Sequence, residues 1–219
     1  PVLRSENLIK RYGGREVVKN VAIRVQSGEI IGLIGPNGAG KTTVVKLILN
    51  IVRRTSGRIE VFGLDHLEAE AEVKSRIGFV LDEMPFYGYL KVDAIASVIA
   101  PYYKTWDSGR FEGLCRAFEL PRRRRVNALS RGMKMKLALA VALSHGAELI
   151  LMDEPTSGLD PVFRRELLER LSGLIQDGRT SVLFSTHLTS DLERVADYIT
   201  CLREGELVYD GALRDVVER

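Results

Sequence analysis

Nine consecutive residues, Gly35-Pro36-Asn37-Gly38-Ala39-Gly40-Lys41-Thr42-Thr43, satisfy G-x-x-x-x-G-K-[ST] at every required position. The chemistry such a stretch performs is phosphate capture. Glycines let the backbone curl so that successive N–H groups point inward at an anion, and a helix starting there adds partial positive charge. Lys41 would reach terminal phosphates, and the Thr42 hydroxyl would ligate Mg²⁺. A second chemical feature stands at Glu148-Leu149-Ile150-Leu151-Met152-Asp153-Glu154-Pro155, an apolar run that ends in two carboxylates. Asp153 at the end of a strand can hold Mg²⁺ or its waters, and Glu154 beside it can polarise an attacking water. The two features together imply binding of a nucleoside triphosphate.

These residues need elements to position them. Ile30 to Ile34 reads as a buried strand before the glycine loop, and Val44 to Leu49 as a helix after it. Val21, Ile23 and Val25 alternate as in a half-buried strand. Arg58 to Phe62 is a short strand, Leu64 to Ser75 a helix, and Ile77 to Leu81 another strand. From about Met84 to Gly146 the pattern turns helical: Val92 to Ala100, a helix capped by Asp107 and running through Phe118, and Arg131 to Ser144. Strand and helix then alternate again through Leu149 to Met152, Val162 to Ile175 and Ser181 to Phe184. Tyr198 to Leu202 and Glu206 to Tyr209 flank a turn at Glu204-Gly205. The expected fold is α/β: a P-loop core with a mostly parallel sheet flanked by helices, an antiparallel β part, and an inserted helical subdomain. The core is expected at 1–83 and 147–219, the insertion at 84–146, and the whole 1–219 as one domain.

Composition sets bounds on partners. A chain of 219 residues can bury a sizeable core. A net charge of +3 gives no ground for a nucleic-acid partner. Cys115 and Cys201 have no metal-ligand spacing and read as packed, reduced thiols of a cytosolic protein. No apolar run approaches the roughly 18 residues that span a bilayer, and the N-terminus does not read as a signal peptide. Any membrane role is therefore expected through a partner.

In the order and spacing of its motifs the chain resembles the nucleotide-binding subunits of ATP-binding cassette (ABC) transporters, from about Leu3 to Gly211. Leu129-Ser130-Arg131-Gly132-Met133 stands where that family has its signature, Ser157-Gly158-Leu159-Asp160 matches its D-loop, and His187 matches its switch histidine. Tyr12 matches the aromatic residue that stacks on adenine. The resemblance implies ATP and Mg²⁺ as cofactors. It implies ATP hydrolysis with Lys41, Glu154 and His187 as the catalytic groups. Nucleotide contacts would run from Gly35 to Thr43. It further implies two cassettes pairing head to tail, a homodimer or a heterodimer. Ser130 and Gly132 of one subunit would face the γ-phosphate bound by the other. The partner to be powered would be a separate membrane-spanning permease, with this subunit peripheral at the cytoplasmic face of the cell membrane. The Ser-Arg-Gly-Met signature resembles the drug and antibiotic-peptide exporter group. A regulatory cassette, or a non-transport cassette acting on a macromolecule, is the alternative.

Two positions depart from the family pattern. Its signature usually has glycine where this chain has Arg131. Its usual Gln after the strand Ile77 to Val80 is replaced by Asp82, followed by Glu83; a carboxylate is a better hard-metal ligand than an amide, so Asp82 is expected to join the metal site. Arg122 to Arg125 form a run that is either a solvated face or a contact for an acidic partner segment or lipid headgroups. Most of the aromatic residues Phe86, Tyr87, Tyr89, Tyr102, Tyr103 and Trp106 are expected in the core, with Phe86 and Tyr87 at a groove for a helix of the membrane subunit. His66 and His145 match no motif and are expected to be structural.

Overall fold

A computed structural model describes residues 1–81 and 86–217. The chain opens with a long antiparallel hairpin, β1 (Leu3–Tyr12) and β2 (Arg15–Val21). With β3 (Arg24–Val25), β5 (Ser56–Val61) and β6 (Leu64–Asp65) it forms an antiparallel sheet in which β1 pairs with β2, β3 and β5. The second sheet holds β4 (Ile30–Ile34), β7 (Ile77–Val80), β8 (Leu149–Asp153), β9 (Ser181–Thr186), β10 (Tyr198–Arg203) and β11 (Glu206–Ala212). Its order is β11-β10-β4-β9-β8-β7, parallel throughout except at the β10–β11 hairpin.

The central strands are apolar on both faces because both faces are covered. Ile31, Leu33, Leu149, Leu151 and Leu183 point towards α1 (Lys41–Ile48) and the antiparallel sheet. Their neighbours Ile30, Ile150, Met152, Val182 and Phe184 point the other way, towards the second core. That core takes residues from α3 (Val92–Ile99), α4 (Ser108–Ala117), α5 (Arg131–Ser144), α6 (Pro161–Leu174) and α7 (Thr189–Val195). Each fully buried Leu, Ile or Val contributes about 1.5–3 kcal/mol, so the strand ends that carry the chemistry are anchored from both sides.

Helix boundaries follow local chemistry. Asp107 Oδ1 accepts from Arg110 N at 2.8 Å and caps α4. Asp160 Oδ1 accepts from Val162 N at 3.1 Å and Phe163 N at 3.0 Å, with Pro161 opening α6. A short helix, α8 (Arg214–Val217), follows β11.

Two expectations fail here. Leu64 to Ser75 is not one helix: Leu64–Asp65 pairs with β5, and only α2 (Glu70–Ser75) is helical. Asp65 Oδ1 turns the chain by accepting from Leu67 N at 2.9 Å, a local bond that competes with helix formation. The aromatic residues of the expected insertion are also less buried than expected. Tyr87, Tyr89 and Tyr102 are exposed, while Phe86, Tyr103 and Trp106 are half-buried.

Candidate nucleotide site

The glycine loop joins β4 to α1, as the strand–loop–helix reading requires. Gly40 caps α1 at φ 105°, and a Cβ there would stand 2.8 Å from the Val17 carbonyl oxygen. Both facts restrict the position to glycine. The loop residues Pro36, Asn37, Gly38 and Ala39 form one wall of a cavity of about 680 Å³, opposite Arg15 to Val17 of the hairpin. Tyr12 sits at the tip of that hairpin, opposite Arg15, half-exposed and outside the cavity lining. Lys10 Nζ lies 4.6 Å from its ring centroid.

Lys41 is 5% exposed, and its ammonium turns back onto the loop, donating to Gly35 O at 2.7 Å and Pro36 O at 3.2 Å. It also stands 3.3 Å from Glu154 Oε1. Thr42 Oγ1 donates to Asp153 Oδ1 at 3.0 Å. Asp153 and Ser185 are paired in register across β8 and β9, and Ser185 Oγ donates to the same Oδ1 at 2.6 Å. Ser185 was not singled out in the sequence, where it is one more residue of an apolar strand.

Glu154 holds the left-handed conformation at φ 49°. For a non-glycine residue this costs about 1 kcal/mol or more, and such strain is concentrated at functional sites. Its amide donates to Ser185 Oγ at 3.0 Å, which holds the bend. The bend aims the carboxylate at His187, whose Nδ1 lies 2.8 Å from Glu154 Oε2. Residues from three separate stretches of the chain, Lys41 and Thr42, Asp153 and Glu154, and His187, thus form one connected cluster at the ends of three adjacent parallel strands.

Donor chemistry at this cluster suits a hard cation. A hydroxyl and a carboxylate oxygen meet at Thr42 and Asp153, and Mg²⁺ is usually held by one or two such protein oxygens plus substrate phosphates. No group of three or more His, Cys, Asp or Glu forms a protein-only cage among the described residues. Asp82 lies outside the described residues.

Ser130 and Gly132 stand at the start of α5. Ser130 Oγ caps α5, accepting from Met133 N at 3.3 Å. The space above Gly132 meets the Leu159 side chain, and the Arg131 guanidinium lies over Gly158. The α5 start is therefore packed on the loop that follows Glu154.

Burial marks four of the other candidates as structural groups. Burial pushes the Cys115 thiol up to about 11 and raises Cys201 as well. Burial lowers His145 to about 4 and, with Arg54 nearby, lowers His66. Arg122 pairs with Asp93 at 2.5 Å, while Arg123 to Arg125 are exposed. Phe86 and Tyr87 do line a mostly apolar groove of about 450 Å³, with Phe79, Leu90, Ile99 and Tyr102. No helix among the described residues is long and apolar enough to cross a membrane.

Comparison with known proteins gives one answer. A family model described as ABC transporter matches residues 18–157. The bacitracin transport ATP-binding protein BcrA of Enterococcus faecalis is 33% identical over 227 residues, covering 100% of this chain and 71% of its own. The lantibiotic transport ATP-binding protein SrtF of Streptococcus pyogenes is 32% identical, covering 96% and 93%. Among solved structures, an ATP-binding subunit of an ABC transporter superposes with a TM-score of 0.89 at 28% identity, covering 100% of this chain and 92% of its own. A dimeric post-hydrolysis ATP-binding cassette with ADP and Pi superposes at 0.85 and 25% identity, covering 97% and 99%. The strand-end cluster is thus set in the fold of a known class of ATPase, and the chain belongs to the ABC transporter family as an ATP-binding, ATP-hydrolysing subunit.

Proposed function

We propose that this subunit drives export through a separate membrane-spanning permease, working as one of two cassettes that close on ATP and Mg²⁺ at the cytoplasmic face of the membrane. The observation that carries the reading is the junction of Lys41, Thr42, Asp153, Glu154 and His187 at one strand edge. Export is supported by relatives named for bacitracin and lantibiotic transport. The permease selects the cargo.

In this reading the Gly35 to Thr43 loop cradles the phosphates with its backbone N–H groups, and Tyr12 supports the base. Lys41 leaves its loop carbonyls to neutralise charge on the β- and γ-phosphates. Thr42 and Asp153 would hold Mg²⁺, which would supply further charge neutralisation. Glu154 orients a water in line with the γ-phosphorus and takes its proton as the bond to the ADP oxygen breaks. His187 shares Nδ1 with Glu154, leaving Nε2 to face the γ-phosphate. The second subunit brings Ser130 and the Gly132 amide, a helix N-terminus suited to an anion. The exposed placement of Ser130, at a helix start packed on the loop after Glu154, supports a pairing in trans, in a homodimer or with a related cassette.

The apolar groove at Phe86 and Tyr87 supports docking of a helical segment of the permease. The groove is lined from α2, β7, α3 and α5, and the segment that carries α3 to α5 is proposed as an inserted subdomain, 84–146, on a core of 1–83 and 147–219. The test is size-exclusion chromatography of Glu154→Gln with ATP and Mg²⁺. A shift to twice the monomer mass is expected; a monomer at high protein concentration would contradict the proposal.

A further inference from the structure

We infer that Asp191 is a positioning residue for hydrolysis, clamping the loop that carries Glu154 to the loop that carries His187. The inference rests on the proposed catalytic roles of those two residues. Asp191 lies four residues after His187, in the first turn of α7, and is 1% exposed. Its Oδ2 accepts from Thr156 Oγ1 at 2.6 Å, and Thr156 is two residues after Glu154 and itself 2% exposed. Its Oδ1 accepts from Arg164 Nε at 2.6 Å, with Arg164 Nη2 at 2.5 Å, and the same Nη2 donates to Ser190 Oγ at 3.0 Å. One buried carboxylate therefore joins the residue after Glu154-Pro155, the first turns of α6 and the start of α7.

Stability alone does not call for such a clamp. A buried ion pair is expensive to desolvate, and well-packed apolar side chains of similar volume often stabilise as much or more. What directional, charge-assisted hydrogen bonds add is a fixed geometry. Geometry is what this site needs, because His187 is 40% exposed and, among the described residues, Glu154 holds its ring. Fixing the loops on both sides keeps imidazole and carboxylate at 2.8 Å. Leu192, next to Asp191, packs directly over Gly32 of β4, so α7 is seated on the sheet independently of the ion pair. Losing the clamp should therefore loosen the loops before it unseats the helix. The charged groups facing this region from α6 and α7 are Arg164, Arg165 and Arg194, which share a surface cavity with Asp191.

Two substitutions test the clamp. Thr156→Val removes one donor and leaves the ion pair whole; Asp191→Asn removes the charge. A misplacement of catalytic groups by about 1 Å costs on the order of 100-fold. Accordingly kcat should fall about 3- to 10-fold in Thr156→Val and about 10- to 100-fold in Asp191→Asn, while KM for ATP stays within about twofold because Lys41 and Thr42 are untouched. The chain has three histidines, so their ring NMR signals can be followed individually. The His187 signals should move in both variants, with those of His66 and His145 unchanged. Unchanged kcat, a KM that rises in step with the loss, or movement of all three histidines would overturn the clamp. His187→Ala serves as the separate control. Full activity there would overturn the role of His187 itself, and a loss there beside a silent Thr156→Val and Asp191→Asn would overturn the clamp alone.

Discussion

His187 Nδ1 stands 2.8 Å from Glu154 Oε2, while the other oxygen of the same carboxylate lies 3.3 Å from the buried Lys41 ammonium. Glu154 is thus oriented from two sides. An amide in its place keeps the shape but cannot take a proton. Glu154→Gln should lower kcat by about 100- to 10,000-fold while ATP affinity stays within about threefold, as read by turnover and equilibrium binding.

Gly132 allows the two sides of a closed dimer to be separated. Among the described residues a Cβ there would meet only Leu159 Cδ2, at an ordinary 3.6 Å, so alanine fits there. Gly132→Ala should leave the melting temperature and ATP binding of the isolated subunit unchanged. Hydrolysis should nevertheless fall, because the added methyl group would crowd the phosphate bound by the partner. A drop in the melting temperature of the monomer would remove the basis for that reading.

Gly40 is the opposite case. Alanine there would need φ near 105° with its Cβ 2.8 Å from Val17 O, a strain of about 1–3 kcal/mol. Gly40→Ala should lower thermal stability and abolish ATP binding together, since the same loop serves both.

Acid should destabilise the fold through His145. It is 1% exposed, its Nδ1 has no hydrogen-bond partner among the described residues, and its ring stacks on Tyr103 at 3.9 Å. Burial holds its folded pKa at about 4, below the unfolded value of about 6.5. Between these values the unfolded chain binds a proton that the folded chain refuses, so stability is full above pH 6.5 and falls as pH drops towards 4. The loss reaches about 3 kcal/mol at most. His66, also lowered, adds in the same direction. His145→Phe keeps the stack without the titration. Melting curves at pH 7 and pH 5 should show a smaller acid loss in the variant.

The parts of the site legible in the sequence were those fixed by local pattern. The Gly35 to Thr43 loop and the Asp153-Glu154 strand end announce themselves because each motif needs its own element, and β4, α1 and β8 are where periodicity puts them. Ser185 and Asp191 were not legible. One is a hydroxyl inside an apolar strand, the other a carboxylate in a charged helix, and their value comes from partners 32 and 35 residues away. The left-handed bend at Glu154 left no trace, since no glycine marks it. The hairpin β1–β2 was also missed, because long polar strands covering only one face of the core lack a strong apolar signal. At Leu64 to Ser75, charged and alanine-bearing residues matched a helix, but tertiary pairing of Leu64–Asp65 with β5 overrode the propensity.

The most direct test of the account is ATP hydrolysis measured against protein concentration, for the wild type and for Glu154→Gln under the same conditions. A site completed by Ser130 and Gly132 of a second subunit predicts that specific activity rises with concentration in the wild type and is absent in the variant. Specific activity independent of concentration, or equal in the two proteins, would contradict a composite site built around Glu154.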